Sequence, residues 1–233
     1  LIYDELLRQI GKEKASLYYA ANRDALQFIR TTVDELGIPC GLTDEDAYVY
    51  THSADYMNQI EKEAEAYAAL GIEGAYADSI PLQIPAIGAV KMSNQARFHP
   101  IRYTSALLEQ FLQADGSVYE ETTAVDIEAG SKPCVITQDG HRVSSKFIVI
   151  CSHFPFYDGR KFFFARMHAE RSYVLAIKAG TPYPGGMYIS AEQPKRSIRR
   201  AEDSDGSNLL LIGGESHQTG QGICTISHYE ALQ

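Results

Sequence analysis

Three segments hold the residue types that could do chemistry. In Gln95-Ala96-Arg97-Phe98-His99-Pro100 a histidine beside an arginine opens a helix. The partial positive charge of a helix N-terminus would let this pair orient an anion. The alternative is an ordinary N-cap with Phe98 in the core. The second segment, Phe147-Ile-Val-Ile-Cys-Ser-His153-Phe-Pro155, reads as a buried strand ending in small and polar residues. Open α/β sheets place ligands at such strand ends. The alternative is ordinary loop chemistry. The third is the cluster Gly213, Gly214, Gly220 and Gly222 after an apolar run. It is either a flexible turn or a place where backbone approaches a ligand closely. No Walker motif, G-x-S-x-G, H-E-x-x-H or G-x-G-x-x-G accompanies them.

The elements that must position these residues follow from periodicity. Leu17, Ala21, Ala25, Phe28, Ile29 and Leu36 predict a helix over Ala15–Leu36 that stops at Gly37, with a shorter one over Ile2–Ile10. Ser53 caps a helix running to Leu70 and Gly71. His99-Pro100 opens a third, with Tyr103, Leu107 and Phe111 on one face. Strands are expected at Ala47–Thr51, Ala86–Ser93, Ser117–Tyr119, Thr122–Glu128, Cys134–Thr137, Arg142–Val143 and Phe147–Cys151. Further strands are expected at Arg171–Lys178, Met187–Ser190, Ser197–Arg200 and Leu209–Ile212, with a hairpin loop at Asp203–Asn208. Phe147–Ile150 suits a strand covered on both faces of a parallel sheet. The fold class is α+β with mixed sheets.

The chain has 233 residues and a net charge of −9. That acidic balance argues against a nucleic-acid partner. The one basic patch, Lys195, Arg196, Arg199 and Arg200, reads as the solvated face of a hairpin. Charges break every apolar run before it reaches about 20 residues, so no membrane span and no leader are expected. Cys40, Cys134, Cys151 and Cys224 form no C-x-x-C pair and no zinc spacing, so no metal site is expected. Scattered thiols of this kind suit buried positions in a reducing compartment, which favours the cytoplasm.

The order of the segments resembles the D-amino-acid oxidase/glycine oxidase superfamily of FAD-dependent oxidoreductases. The matching features are Ala96–Pro100 with the helix Ile101–Leu112, the stretch Gly116–Glu128 leading into Phe147–Pro155, and Leu209-Leu-Leu-Ile-Gly-Gly-Glu-Ser-His-Gln-Thr-Gly220. They cover most of Ala15 to Leu232. The resemblance implies the interior of such an enzyme, with the glycine-rich dinucleotide-binding unit upstream of Leu1. Some relatives carry a Rieske iron–sulfur domain downstream, and its Cys-His pairs are absent from this chain. It also implies a remnant of an FAD-binding α/β domain over 1–42, 96–159 and 216–233. A mixed-sheet substrate domain then covers 43–95 and 160–215.

Carried onto these residues, the resemblance implies hydride transfer from the carbon beside an amine to FAD, in an amine or amino-acid-like small molecule. Val125 would meet the adenine side through its backbone. Ser152, His153 and Phe154 would lie where the strand end approaches the cofactor. Arg97, Phe98 and His99 would face the substrate, and Tyr188 would line its pocket or pack in the core. No catalytic residue is named. The chain alone is expected to be inactive, to bind FAD weakly or not at all, and to self-associate through uncovered apolar residues such as Val149 and Phe154. A non-enzymatic α+β interaction module is the competing reading, supported by the lack of a catalytic set.

Overall fold

The structure, a computed structural model, describes every residue except 158–161, 179, 204 and 222–224. Gly222 and Cys224 therefore lie outside the described residues. The fold is α+β, and the chain divides into two compact units. The first comprises Leu1–Leu107, Arg171–His217 and Gln221–Gln233, and the second Leu108–Glu170 with Gln218–Gly220.

The first unit is built on a seven-stranded sheet. Its strands are β1 (Thr43–Thr51), β2 (Gly74–Ala77), β3 (Gly88–Arg97), β7 (Glu170–Ile177), β8 (Met187–Ser190), β9 (Arg196–Glu202) and β10 (Asn208–Gln218), in the order β2-β3-β1-β8-β9-β10-β7. The pairing of β1 with β8 is parallel, Tyr48 opposite Tyr188, while β1–β3, β2–β3, β8–β9 and β9–β10 are antiparallel. The sheet is therefore mixed, and β7, β8 and β10 share it as the alternating patterns after Pro155 predict.

Helices α1 (Tyr3–Leu36) and α2 (Ala54–Leu70) pack beside this sheet. Non-helical backbone at Gly11 splits α1 into the two expected helices. Ser53 caps α2 by accepting the Asp55 N–H, and Gly37 and Gly71 end the two helices in left-handed conformations, at φ 60° and 67°. Any Cβ would be disfavoured at those φ values. Period-two alternation then sorts the strand residues onto two faces. Val49, Val90 and Met92 pack with Tyr3, Ile60 and Tyr67 from the helices. Tyr48, Tyr50, Ala89 and Tyr188 pack instead with Ile80, Leu82 and Ile84 from the loop before β3.

A buried carboxylate fixes the start of α1. Glu63, 2% exposed, accepts the N–H of Ile2 at 2.9 Å and of Tyr3 at 3.0 Å on one oxygen, and the N–H of Asp4 at 2.9 Å on the other. These are orphan donors of a helix N-terminus, satisfied from 60 residues away. Burial, followed by the neighbouring Tyr18 and Tyr19, pushes the Tyr3 hydroxyl up to about 12.

The glycines Gly213 and Gly214, which the sequence leaves open between a flexible turn and close backbone approach to a ligand, lie inside β10 opposite Ser197 and Arg196. A Cβ on Gly214 would sit 2.6 Å from the Lys195 carbonyl oxygen. Close approach of β9, not turn geometry, is what requires glycine there.

Helix α3 (Pro100–Gln113) belongs to the first unit through Leu107 and to the second from Leu108, and the second also holds the antiparallel sheet β4 (Ala124–Glu128), β5 (Cys134–Thr137) and β6 (Arg142–Ser144). The run Phe147–Cys151 is a correction to the sequence reading. It forms no strand, and Phe147 and Val149 are 85% and 83% exposed. A parallel strand needs a neighbour to receive its backbone groups, and among the described residues none lies beside it. Ser117–Tyr119 forms no strand either. Cys40 and Cys134 are buried free thiols, but Cys151, within the uncovered run, is exposed.

Candidate active site

The strand β3 delivers Arg97, and the two residues after it turn the chain into α3. The His99 N–H donates to the Cys40 carbonyl at 2.8 Å, and the His99 carbonyl accepts the Tyr103 N–H at 3.1 Å. His99 Nδ1 accepts the Arg102 N–H at 3.3 Å, so this histidine is the cap, with Pro100 at the first helical position. Using Nδ1 as acceptor leaves Nε2 to carry the proton of the neutral ring, as a donor. Phe98 packs edge-on against Tyr103 at 5.4 Å, beside Val33, Ile38 and Cys40. Both readings of this segment are therefore realised: it is a cap with a core phenylalanine, and it also walls a cleft.

That cleft, about 440 Å³, lies within the first unit. Arg97, Phe98 and His99 line it together with Arg102, Met187, Arg199, Arg200 and Glu202. Arg97 is held by Glu45, Nε to Oε1 at 2.5 Å, with side chains 16% and 8% exposed. Its charge is thus already compensated. Arg102, Arg199 and Arg200 form no ion pair among the described residues, and Nε of Arg200 is buried with no hydrogen-bond partner. Three uncompensated guanidiniums against the one carboxylate of Glu202 give the cleft a net positive field. A buried guanidinium N–H left unpaired is costly, and an anionic ligand would relieve that cost.

From sequence, Lys195, Arg196, Arg199 and Arg200 read as the solvated face of a hairpin. The structure divides that patch. Lys195 and Arg199 are exposed, Arg200 turns a buried N–H to the cleft, and Arg196 leaves it to pair with Glu215. Arg199 and Arg200 come to the same cleft as Arg97 through sheet order, because β1 pairs with β3 on one side and with β8, the neighbour of β9, on the other. The local hint in the sequence is two adjacent arginines flanked by Ile198 and Ala201.

Tyr188 is buried in the sheet core. It stacks on Tyr48 with centroids 5.1 Å apart, and its hydroxyl donates to the Gly185 carbonyl at 2.7 Å. Burial, then Tyr48 and Glu45, pushes that hydroxyl up to about 12. Its neighbour Met187 reaches the cleft in its place.

The remaining predicted residues belong to the second unit. Val125, half exposed, sits at a bulge where β4 slips register against β5, between Ala124 and Asp126. Ser152, His153 and Phe154 form a tight turn. The Phe154 N–H donates to the Ser152 carbonyl at 2.6 Å, the Ser152 hydroxyl donates to the Phe154 carbonyl at 2.8 Å, and His153 has φ 61°. A non-glycine residue held there is strained, a condition common at ligand sites. No group of three His, Cys, Asp or Glu suited to a metal ion occurs among the described residues.

A second polar cluster, which sequence reasoning missed, lies on β7 and β10. His228 of the short helix α4 (Thr225–Glu230) stacks on His217 at 4.5 Å and on Tyr173 at 4.7 Å. Its Nδ1 is 3.1 Å from Glu215, which also holds Arg196. Hydrogen bonding to His228, and then to Arg196, keeps the Glu215 carboxyl below its ordinary range against the opposing effect of burial.

Residues 5–231 match the family described as FAD dependent oxidoreductase. The chain belongs to that family. Over its whole length it is 46% identical to YhfW of Bacillus subtilis (strain 168), a protein whose name describes a Rieske 2Fe-2S iron-sulfur protein, and it covers 46% of that relative. The chain thus spans about half the length of the curated relative it matches. It superposes on glycine oxidase from Geobacillus kaustophilus with a TM-score of 0.67 at 16% identity, covering 94% of this chain and 59% of that one. L-proline dehydrogenase from P. horikoshii gives 0.68 at 12% identity, covering 90% and 59%. These likenesses show the fold. No described helix is long and apolar enough to cross a membrane.

Proposed function

We propose that the chain is the interior of a flavin-dependent enzyme that oxidises an amine or amino-acid-like small molecule, and that the cleft of Arg97, His99, Arg102, Arg199 and Arg200 binds the substrate. The observation that carries this reading is the buried Nε of Arg200, without a partner among the described residues, in a cleft with excess positive charge. A carboxylate on the substrate would accept from Arg200, a charge-assisted bond about twice as strong as a neutral one. The same arginines disfavour an ammonium ion, because like charge lowers an amine's pKa. They would therefore hold the amine neutral with a free electron pair, and His99 Nε2–H would donate to the substrate's oxygen.

When bound, FAD supplies the hydride acceptor. The second unit offers surfaces that fit such a group: the bulge at Val125, the strained Ser152–Phe154 turn, and the uncovered apolar side chains of Phe147 and Val149. The chain alone would be inactive and hold FAD weakly, and a cytoplasmic setting completes the reading, supported by the free thiols of Cys40, Cys134 and Cys151.

The test uses the full-length protein. It should carry flavin absorbance that bleaches anaerobically with an amine substrate, and Arg200→Gln should raise KM at least ten-fold. A colourless protein that resists reconstitution with FAD would refute the flavin reading. An unchanged KM in Arg200→Gln would refute the cleft as the substrate site.

A further inference from the structure

We infer that the cleft selects a substrate with two carboxylates, an amino dicarboxylate, over one with a single carboxylate. The inference rests on the proposed substrate cleft and deepens it. Arg200 alone satisfies the needs of one carboxylate, since a guanidinium fork matches a single carboxylate in a bidentate fashion. Two more arginines then line the same cleft without an ion pair among the described residues: Arg102 from the first turn of α3 and Arg199 from β9. Acids do occur around the hairpin beyond β9, but Asp203 and Asp205 lie against Lys178, at 4.0 and 3.8 Å, and neither lines the cleft. Glu45 is committed to Arg97.

Glu202, the one acid on the wall among the described residues, offsets one of the three free charges. With a monocarboxylate bound the cleft would still hold one uncompensated charge, and with a dicarboxylate its charge closes. At about 440 Å³ the cleft also falls in the size range of pockets that enclose ligands far larger than glycine. Arg199 and Arg102 are exposed, which suits them to a distal carboxylate reached from the cleft mouth, while Arg200, half-buried with its Nε enclosed, takes the carboxylate beside the reacting carbon.

The experiment compares matched pairs on the full-length flavin-loaded protein: aspartate and glutamate of both hands against alanine and 2-aminobutyrate, and iminodiacetate against N-methylglycine. kcat/KM should favour the dicarboxylate of each pair at least ten-fold, and Arg199→Gln and Arg102→Gln should each cut that ratio at least five-fold. A second readout needs no turnover: calorimetric titration with succinate and glutarate against propionate and butyrate. The dicarboxylates should bind at least ten-fold tighter, with a steeper salt dependence. Equal affinities within each pair, a ratio unmoved by Arg199→Gln and Arg102→Gln, or tight binding of glycerol phosphate with none of succinate would each overturn the inference. If no amine is oxidised while succinate still binds preferentially, the enzymatic reading fails and the anion selectivity stands.

Discussion

Replacing Glu63 with glutamine tests how the N-terminal helix is held. The substitution keeps the shape of the side chain and removes its charge. The carboxylate now accepts three backbone N–H groups at 2.9–3.0 Å, and an amide cannot accept all three, because its NH₂ would face a donor. Ile2 is exposed and Asp4 partly so, and water can replace one of their bonds. Tyr3 is buried, so weakening its bond costs most. Hydrogen bonds to charged groups contribute about 1.5–3 kcal/mol each, and charge at a helix N-terminus about 0.3–1 kcal/mol. Asp4 and Glu5 in the first turn retain part of the latter. The expected loss is about 2–3 kcal/mol, or roughly 5–10 °C in Tm for a chain of this size. The segment before Gly11 is too short to be stable as a helix alone, so its amides should lose protection first. Urea denaturation gives the energy, and hydrogen exchange at residues 2–10 gives its location. A change under about 0.5 kcal/mol with Tyr3 amide protection intact would show that the helix is held by packing alone.

Gly214→Ala should cost about 1–3 kcal/mol in urea denaturation, because its Cβ would meet the Lys195 carbonyl at 2.6 Å and force β9 from β10; a neutral result would mean the strands can separate freely. Because the folded-state pKa of Glu215 is depressed, its pairs with His228 and Arg196 contribute stability that is complete above the ordinary carboxylate range. That stability is lost as pH falls through the depressed value, so exchange at residues 225–232 should accelerate in acid. Glu215→Gln should flatten this dependence, and a pH-independent exchange profile in the wild type would contradict it. Val149→Asp should reduce self-association of the chain in sedimentation equilibrium, since the side chain is 83% exposed in an apolar run; an unchanged association constant would place the contact elsewhere.

Local chemistry made much of this molecule readable in the sequence. Ser53, Gly37, Gly71 and the His99-Pro100 step set helix ends within a few residues, and alternation set Met187–Ser190 as a strand. Each of these signals is satisfied by neighbours along the chain. The order of segments carried the family. Tertiary structure decided what depends on distant partners. The apolar run Phe147–Ile150 reads as a buried strand, but a strand exists only with a neighbour to bond, and among the described residues none is there. Gly213 and Gly214 read as either a turn or a close approach of backbone to a ligand until β9 is laid against them. Tyr188 is withdrawn into the core because β8 pairs with β1 in parallel, setting it on Tyr48. Arg200 becomes a candidate anchor only when sheet order brings β9 near the end of β3. Charge is written in the sequence, but its compensation is spatial, and only the folded chain shows that Arg97 and Arg196 have carboxylates while Arg200 has none among the described residues.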